Sequence, residues 1–152
     1  MEKNYLSNVV WLTGLSGAGK STLANKLYKK LKTKNYKIKK IDGDKFRKKT
    51  QNFKNFSKKN IINNNNLIIN NLKKIHSNYD YCIVSVISPL RKTRARAKKV
   101  FGKNYFEVYV KCGIKELEKR DTKGLYKLAR DNKINNLIGY NSKINYERSK
   151  YK

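Results

Sequence analysis

Apolar residues along the chain fall into short runs separated by segments of helical spacing, an order that predicts a parallel sheet with crossover helices. Asn8 to Thr13 (NVVWLT) is almost continuously apolar and is followed at once by glycines, as a buried first strand is. From Lys20 to about Lys34, Leu23, Leu27 and Leu31 recur at helical intervals, which predicts an amphipathic helix with a lysine-coated outer side. Tyr36 to Ile41 alternates as a second strand and stops at Asp42-Gly43-Asp44. Ile61 to Ile75 places Ile and Leu at helical spacing inside an Asn-rich stretch of weak intrinsic propensity, so packing has to hold that helix. Tyr81 to Ile87 reads as the third strand, Arg91 to Phe101 as a basic helix and Tyr105 to Val110 as the fourth strand. Short helices are predicted over Ile114 to Arg120 and Gly124 to Asp131, whereas Asn132 to Lys152 has no clear period and is expected to be mobile. The expectation is one α/β domain over residues 1–152, with a mostly parallel sheet of four to five strands and helices on both faces.

Composition narrows the class. A single Pro and eight Gly in 152 residues leave little material for linkers. No run approaches the ~18 apolar residues of a membrane span, and the start MEKNYLSNVVWL lacks the order of a secretion signal, so a cytoplasmic protein is expected. Cys82 and Cys112 sit in or beside strand-like runs without metal-ligand spacing and read as buried free thiols. The formal charge of +28 raises the question of nucleic acid, and Arg91, Lys92, Arg94, Arg96, Lys98 and Lys99 on one predicted helix sharpen it. Against that, Lys far outnumbers Arg, and the run Asn63 to Asn66 fits a composition drifting with A- and T-rich codons. Recognition surfaces favour Arg, and no stacking platform or known module appears. The field still draws polyanionic substrates inward.

Gly14-Leu15-Ser16-Gly17-Ala18-Gly19-Lys20-Ser21, with Thr22 opening the helix, fits G-x-x-x-x-G-K-[ST] between a buried strand and an amphipathic helix. Its glycines let successive N–H groups turn inward around phosphate oxygens, at the positive end of the following helix. Lys20 is placed to reach the β- and γ-phosphates of ATP and Ser21 to ligate Mg²⁺. The fold expectation thereby becomes a P-loop NTPase-like three-layer sandwich. The absence of a guanine-reading N-K-x-D and the short chain point to a small-molecule kinase. Such an enzyme needs an acid near the acceptor hydroxyl and basic groups on a lid that excludes water. Ile41 to Arg47 (IDGDKFR) supplies carboxylates at the carboxyl end of the second strand, where α/β sheets bind ligands; taken alone, the segment reads equally as a turn.

Together with Ser85 to Arg91 (SVISPLR) and Arg120 to Arg130 (RDTKGLYKLAR), these segments resemble the adenylylsulfate (APS) kinase family over nearly the whole chain. The resemblance implies transfer of phosphate from ATP to the 3′-hydroxyl of adenosine 5′-phosphosulfate. It implies Asp44 as the acid that orients or deprotonates that hydroxyl and helps hold Mg²⁺, with Asp42 in support. Arg47 would contact the phosphate-bearing side of the acceptor, Phe56 would stack on its base, and Asn64 and Ile87 would line its site. Ser88 matches a serine that becomes phosphorylated in some members. Lys123, Gly124, Leu125 and Tyr126 would belong to a lid spanning about 114–140, and relatives are commonly dimers. The sequence departs from the pattern where Ile61 and Asn66 occupy two arginine places, Leu137 an aromatic place and Lys45 an asparagine place. Losing charge-assisted hydrogen bonds of ~1.5–3 kcal/mol each leaves a second acceptor open, a nucleotide such as cytidine diphosphoramidate in polysaccharide modification. The family continues past the Tyr-Glu found at Tyr146-Glu147 with a strand and helix, so the sheet is expected to be one strand short, with an edge for a partner subunit to cover.

Overall fold

The computed structural model describes residues 7–49 and 57–149, so Phe56 lies outside the described residues. Strands β1 (Asn8–Thr13), β2 (Ile38–Asp42), β3 (Tyr81–Ser85) and β4 (Tyr105–Tyr109) form one sheet in the order β2-β3-β1-β4, every pair parallel. The alternation within β1 sorts the layers. Val9 and Trp11 point to a face covered by α3 (Lys58–Ile75) and α4 (Arg91–Phe101), where Ile68, Ile69, Leu72, Ala97 and Phe101 complete the core. Leu12 points to the opposite face with Ile83, against Ala24 of α1 (Lys20–Lys32), where Leu27, Tyr28 and Leu31 pack. Helices on both faces of a parallel sheet make the expected three-layer sandwich.

Several boundaries and orientations differ from expectation. Leu23 is 40% exposed, because the rotation of α1 is set by the loop before it and brings Ala24, not Leu23, onto the sheet. Asp42-Gly43-Asp44 is not a free turn but the start of helix α2 (Gly43–Lys49), with Asp42 Oδ1 accepting from the N–H groups of Asp44 (3.0 Å) and Lys45 (3.3 Å), an N-cap. The Asn-rich helix α3 begins at Lys58, where Ser57 caps it by accepting from the Asn60 N–H. Arg94 does not join a basic face of α4; it is 1% exposed and paired with Glu107 at 2.9 Å. Cys82 is buried as expected, while Cys112 is only half-buried. Among the described residues no helix is long and apolar enough to cross a membrane.

The C-terminal segment is the largest departure. Beyond α5 (Ile114–Arg120) and α6 (Leu125–Arg130), the chain is irregular to Ser149 but docked: Ile134, Tyr140, Ile144 and Tyr146 pack on a third cluster built from Leu15, Ala18, Leu117 and Tyr126. The side chains that hold it are isolated apolar residues without a period, which periodicity does not register. In the described sheet β4 is an edge strand, with Phe106 51% and Val108 37% exposed.

Candidate functional site

The carboxyl ends of β1, β2 and β3 converge on one cleft of about 300 Å³ whose wall includes Lys20, Ser21, Asp42, Asp44 and, from the lid, Arg120 and Lys123. The loop between β1 and α1 forms its floor. Gly14 turns at φ 144° with the Val110 carbonyl oxygen in the space a β-carbon would take, so no other residue fits there. The Lys20 ammonium donates to the carbonyls of Gly14 (2.9 Å) and Leu15 (2.7 Å). Burial, aided by Lys123, brings its pKa down to about 8 against the opposing pull of Asp44 and Asp42. Ser16, Gly17, Gly19 and Thr22 also line the cleft, while Leu15 and Ala18 anchor the loop in the third apolar cluster.

Asp42 joins the loop to the acidic segment. Its Oδ2 accepts from Ser21 Oγ at 2.8 Å while Oδ1 caps α2. Burial alone would raise its carboxyl, but the hydrogen bonds from Ser21, Lys45 and Asp44, with Lys123 nearby, hold it below the usual value. Asp44, the second residue of α2, is bridged across the cleft by the Lys123 ammonium. Lys123 sits in the tight loop between α5 and α6, where Asp121 accepts from the N–H groups of Tyr126 (3.0 Å) and Lys127 (2.8 Å). Gly124 precedes α6 at φ 67°, and Leu125 packs on the third cluster. Tyr126 fastens the lid to the phosphate loop by donating its hydroxyl to the Ser16 carbonyl at 2.9 Å.

A second, narrow hollow of about 10 Å³ adjoins the cleft, sharing Val86 and Ile87 with it, and is walled by Arg47, Asn65, Ser88 and Ile138. Arg47 is 9% exposed, and desolvation lowers its pKa despite Asp44. Ser88 is buried at φ 43° with Oγ 3.3 Å from Thr93 Oγ1. Asn64 is 5% exposed, and neither Nδ2 nor Oδ1 of its amide finds a hydrogen-bond partner among the described residues; the same holds for Asn65 Oδ1. Asn65, which lines this hollow, donates from Nδ2 to the Ile61 carbonyl at 2.8 Å but keeps Oδ1 for a polar ligand, as does the neighbouring Asn64 amide on the same turn of α3. Leu137 does not reach the wall: it is 1% exposed inside the third cluster, and its neighbour Ile138 lines the hollow instead. Ile61, in an arginine place, is buried in the same cluster, whereas Asn66 is half-buried.

The structure thus brings together the loop Gly14–Thr22, Asp42, Asp44, Ile87 and Lys123, with Arg47 and Ser88 on an adjoining hollow. Sequence reasoning passed over Arg120 and Thr122 as cleft residues; their adjacency to Lys123 was the available signal.

Comparison with known proteins gives concordant results. The family described as Adenylylsulphate kinase matches residues 6–151. A probable adenylyl-sulfate kinase of Archaeoglobus fulgidus is 41% identical over 134 residues, covering 88% of this chain and 86% of its own. An adenylyl-sulfate kinase of Clostridium acetobutylicum is 39% identical, covering 88% of this chain and 67% of its own. Among solved structures, the APS kinase of Mycobacterium tuberculosis in complex with AMPPNP and APS superposes with a TM-score of 0.85 at 33% identity, covering 95% of this chain and 84% of that one.

Proposed function

The chain belongs to the adenylylsulphate kinase family, and from that premise we propose that it transfers the γ-phosphoryl group of ATP to the 3′-hydroxyl of APS. It is an ATP-dependent nucleotide kinase, and the products of this reaction are 3′-phosphoadenylylsulfate and ADP, a step of sulfate assimilation. The observation that carries the site assignment is the shared cleft: Lys20 and Ser21 of the phosphate loop open onto the same space as Asp44.

In this reading the amides of Gly14 to Ser21 wrap the β- and γ-phosphates, and Lys20 neutralises charge on the group being transferred. Asp44 accepts the proton of the 3′-hydroxyl as the new O–P bond forms and the bond to the β-phosphate oxygen breaks. Lys123, already beside Asp44, supplies a second ammonium from the lid, and the Tyr126 contact to the phosphate loop keeps water out as the lid closes. Arg47, Asn64, Ile87 and Ser88 hold the acceptor nucleotide, with Leu125 and Gly124 shaping the lid.

Mg²⁺ fits the donors present. Ser21 and Asp42 share a hydrogen bond at 2.8 Å on the wall that also carries Asp44, and all offer hard oxygens. Ser21 and Asp44 would hold the cation, and when bound it would offset charge on the β- and γ-oxygens. We also place the enzyme in the cytoplasm, as a homodimer that covers the exposed edge of β4.

A side-by-side assay with ATP, Mg²⁺ and either APS or cytidine diphosphoramidate tests the proposal, with the product identified by mass. The second acceptor draws on the apolar burial of Ile61, which leaves no cation at that place. The expected result is 3′-phosphorylation of APS, lost in Lys20→Ala; turnover of the cytidine compound alone would reassign the acceptor, and turnover of neither would reject the proposal.

A further inference from the structure

The conformation of the acceptor-side loop, residues 86–90, is set by groups remote from the cleft. Ser88 holds φ 43°, a backbone region an L residue keeps only where its surroundings impose it. Two restraints meet there. The buried guanidinium of Arg94 donates from Nη1 to the Ser88 carbonyl at 2.7 Å. Thr13, the last residue of β1 before the phosphate loop, donates to the Ile87 carbonyl at 2.5 Å. Both are gripped in turn by the docked C-terminal segment. Tyr146 Oη lies 2.9 Å from Thr13 Oγ1, and the Tyr146 ring lies under Arg94 at 5.1 Å. The Glu147 carbonyl accepts from Arg94 Nη2, and the Glu147 N–H donates to the Pro89 carbonyl at 2.9 Å. The Glu147 carboxylate accepts from the Arg91 N–H at 2.6 Å, at the start of α4.

We propose that Arg94, Tyr146 and Glu147 form a clasp of positioning residues that locks the Ile87 to Leu90 loop against the phosphate loop and so sets the affinity for the acceptor nucleotide. None of the three lines the cleft or the adjoining hollow, so the effect on substrate passes through the loop. The inference rests on the kinase reading for its kinetic consequence, but not for its structural one. A merely structural role would lower stability and move every kinetic constant together; a positioning role separates acceptor from donor.

Three variants test this, each on the full chain. Tyr146→Phe removes only the hydroxyl to Thr13, Glu147→Ala removes an exposed carboxylate, and Arg94→Lys keeps a cation beside Glu107 but not the fork. For Tyr146→Phe and Glu147→Ala the acceptor KM rises about fivefold, the scale of one lost hydrogen bond, while the KM for ATP stays within about twofold. Arg94→Lys gives the larger change, and Tyr146→Phe combined with it adds little, since both act through one loop. Amide hydrogen exchange supplies the second readout: residues 86–90 exchange faster in all three variants while the amides of α1 keep their protection. Unchanged exchange across 86–90, or equal rises in both KM values, overturns the clasp. If the unaltered protein turns over no APS, the functional reading fails, and the exchange result alone decides the clasp.

Discussion

Gly43 separates Asp42 from Asp44, and its role is space, because its backbone is helical and takes no positive φ. A β-carbon added there would lie 2.8 Å from Val86 Cγ2 and 3.2 Å from the Ser85 carbonyl oxygen. Ordinary carbon contacts need about 3.5–4.0 Å, so Gly43→Ala forces a displacement of roughly 0.7–1.2 Å. Val86 is 3% exposed and locked in the sheet cluster, so the start of α2 has to yield, and Asp44 moves with it. Overpacking of this kind costs about 1–3 kcal/mol. A displacement of about 1 Å at a reacting group costs on the order of a hundredfold in rate. The expected outcome is a lowered denaturation midpoint and a kcat reduced by one to two orders of magnitude, about the range set by that displacement. ATP binding, which rests on the phosphate loop, is largely retained. Gly113→Ala is the matched control: φ is −72° and nothing lies within 4 Å of the added carbon, so its effect stays within about 0.5 kcal/mol. Chemical denaturation and steady-state kinetics of the two variants measure the contrast. If Gly43→Ala behaves like Gly113→Ala in both, the packing argument for how Asp44 is placed is wrong.

Other consequences can be checked directly. With the Lys20 pKa lowered to about 8, the free enzyme carries the ammonium that ATP needs below that pH and loses it above. Its dissociation constant for ATP, followed by fluorescence titration, is therefore flat below pH 8 and rises about tenfold per pH unit beyond it, until the bound-state pKa is reached. In Lys20→Arg, whose guanidinium stays charged, that slope disappears. Asn64→Leu removes buried amide atoms that have no partner among the described residues, so thermal stability of the free protein rises by about 1 kcal/mol while the acceptor KM increases; a fall in stability would mean the amide is satisfied in solution.

Much of this site was legible because the phosphate loop carries its own context: a buried strand before it, a helix after it, and a glycine pattern that fixes the backbone. The four strands and the helices between them followed from apolar runs and helical spacing, whereas the order β2-β3-β1-β4 within the sheet came only with the structure. What escaped depends on contacts distant in sequence. Gly43 reads as punctuation until Asp42 is seen to cap a helix, and Leu23 reads as core until α1 is oriented. Arg94 looks like one cation in a basic helix, yet its partners are Glu107 and residues of the C-terminal segment, where no periodicity announces docking. Leu137 and Ile138 differ by one position, which irregular structure does not let a sequence resolve.

The central claim, that Asp44 serves the acceptor hydroxyl of a triphosphate held by the phosphate loop, is tested most directly by single-turnover transfer from γ-labelled ATP already bound to enzyme. Mixing with APS moves the label to the 3′ position in the unaltered protein. In Asp44→Asn, ATP still binds, held by the phosphate loop with only the modest loss expected from a weaker Mg²⁺ ligand, but transfer slows by about a hundredfold or more, in keeping with loss of a group that acts on the reacting proton. Transfer at the original rate in Asp44→Asn would contradict the account.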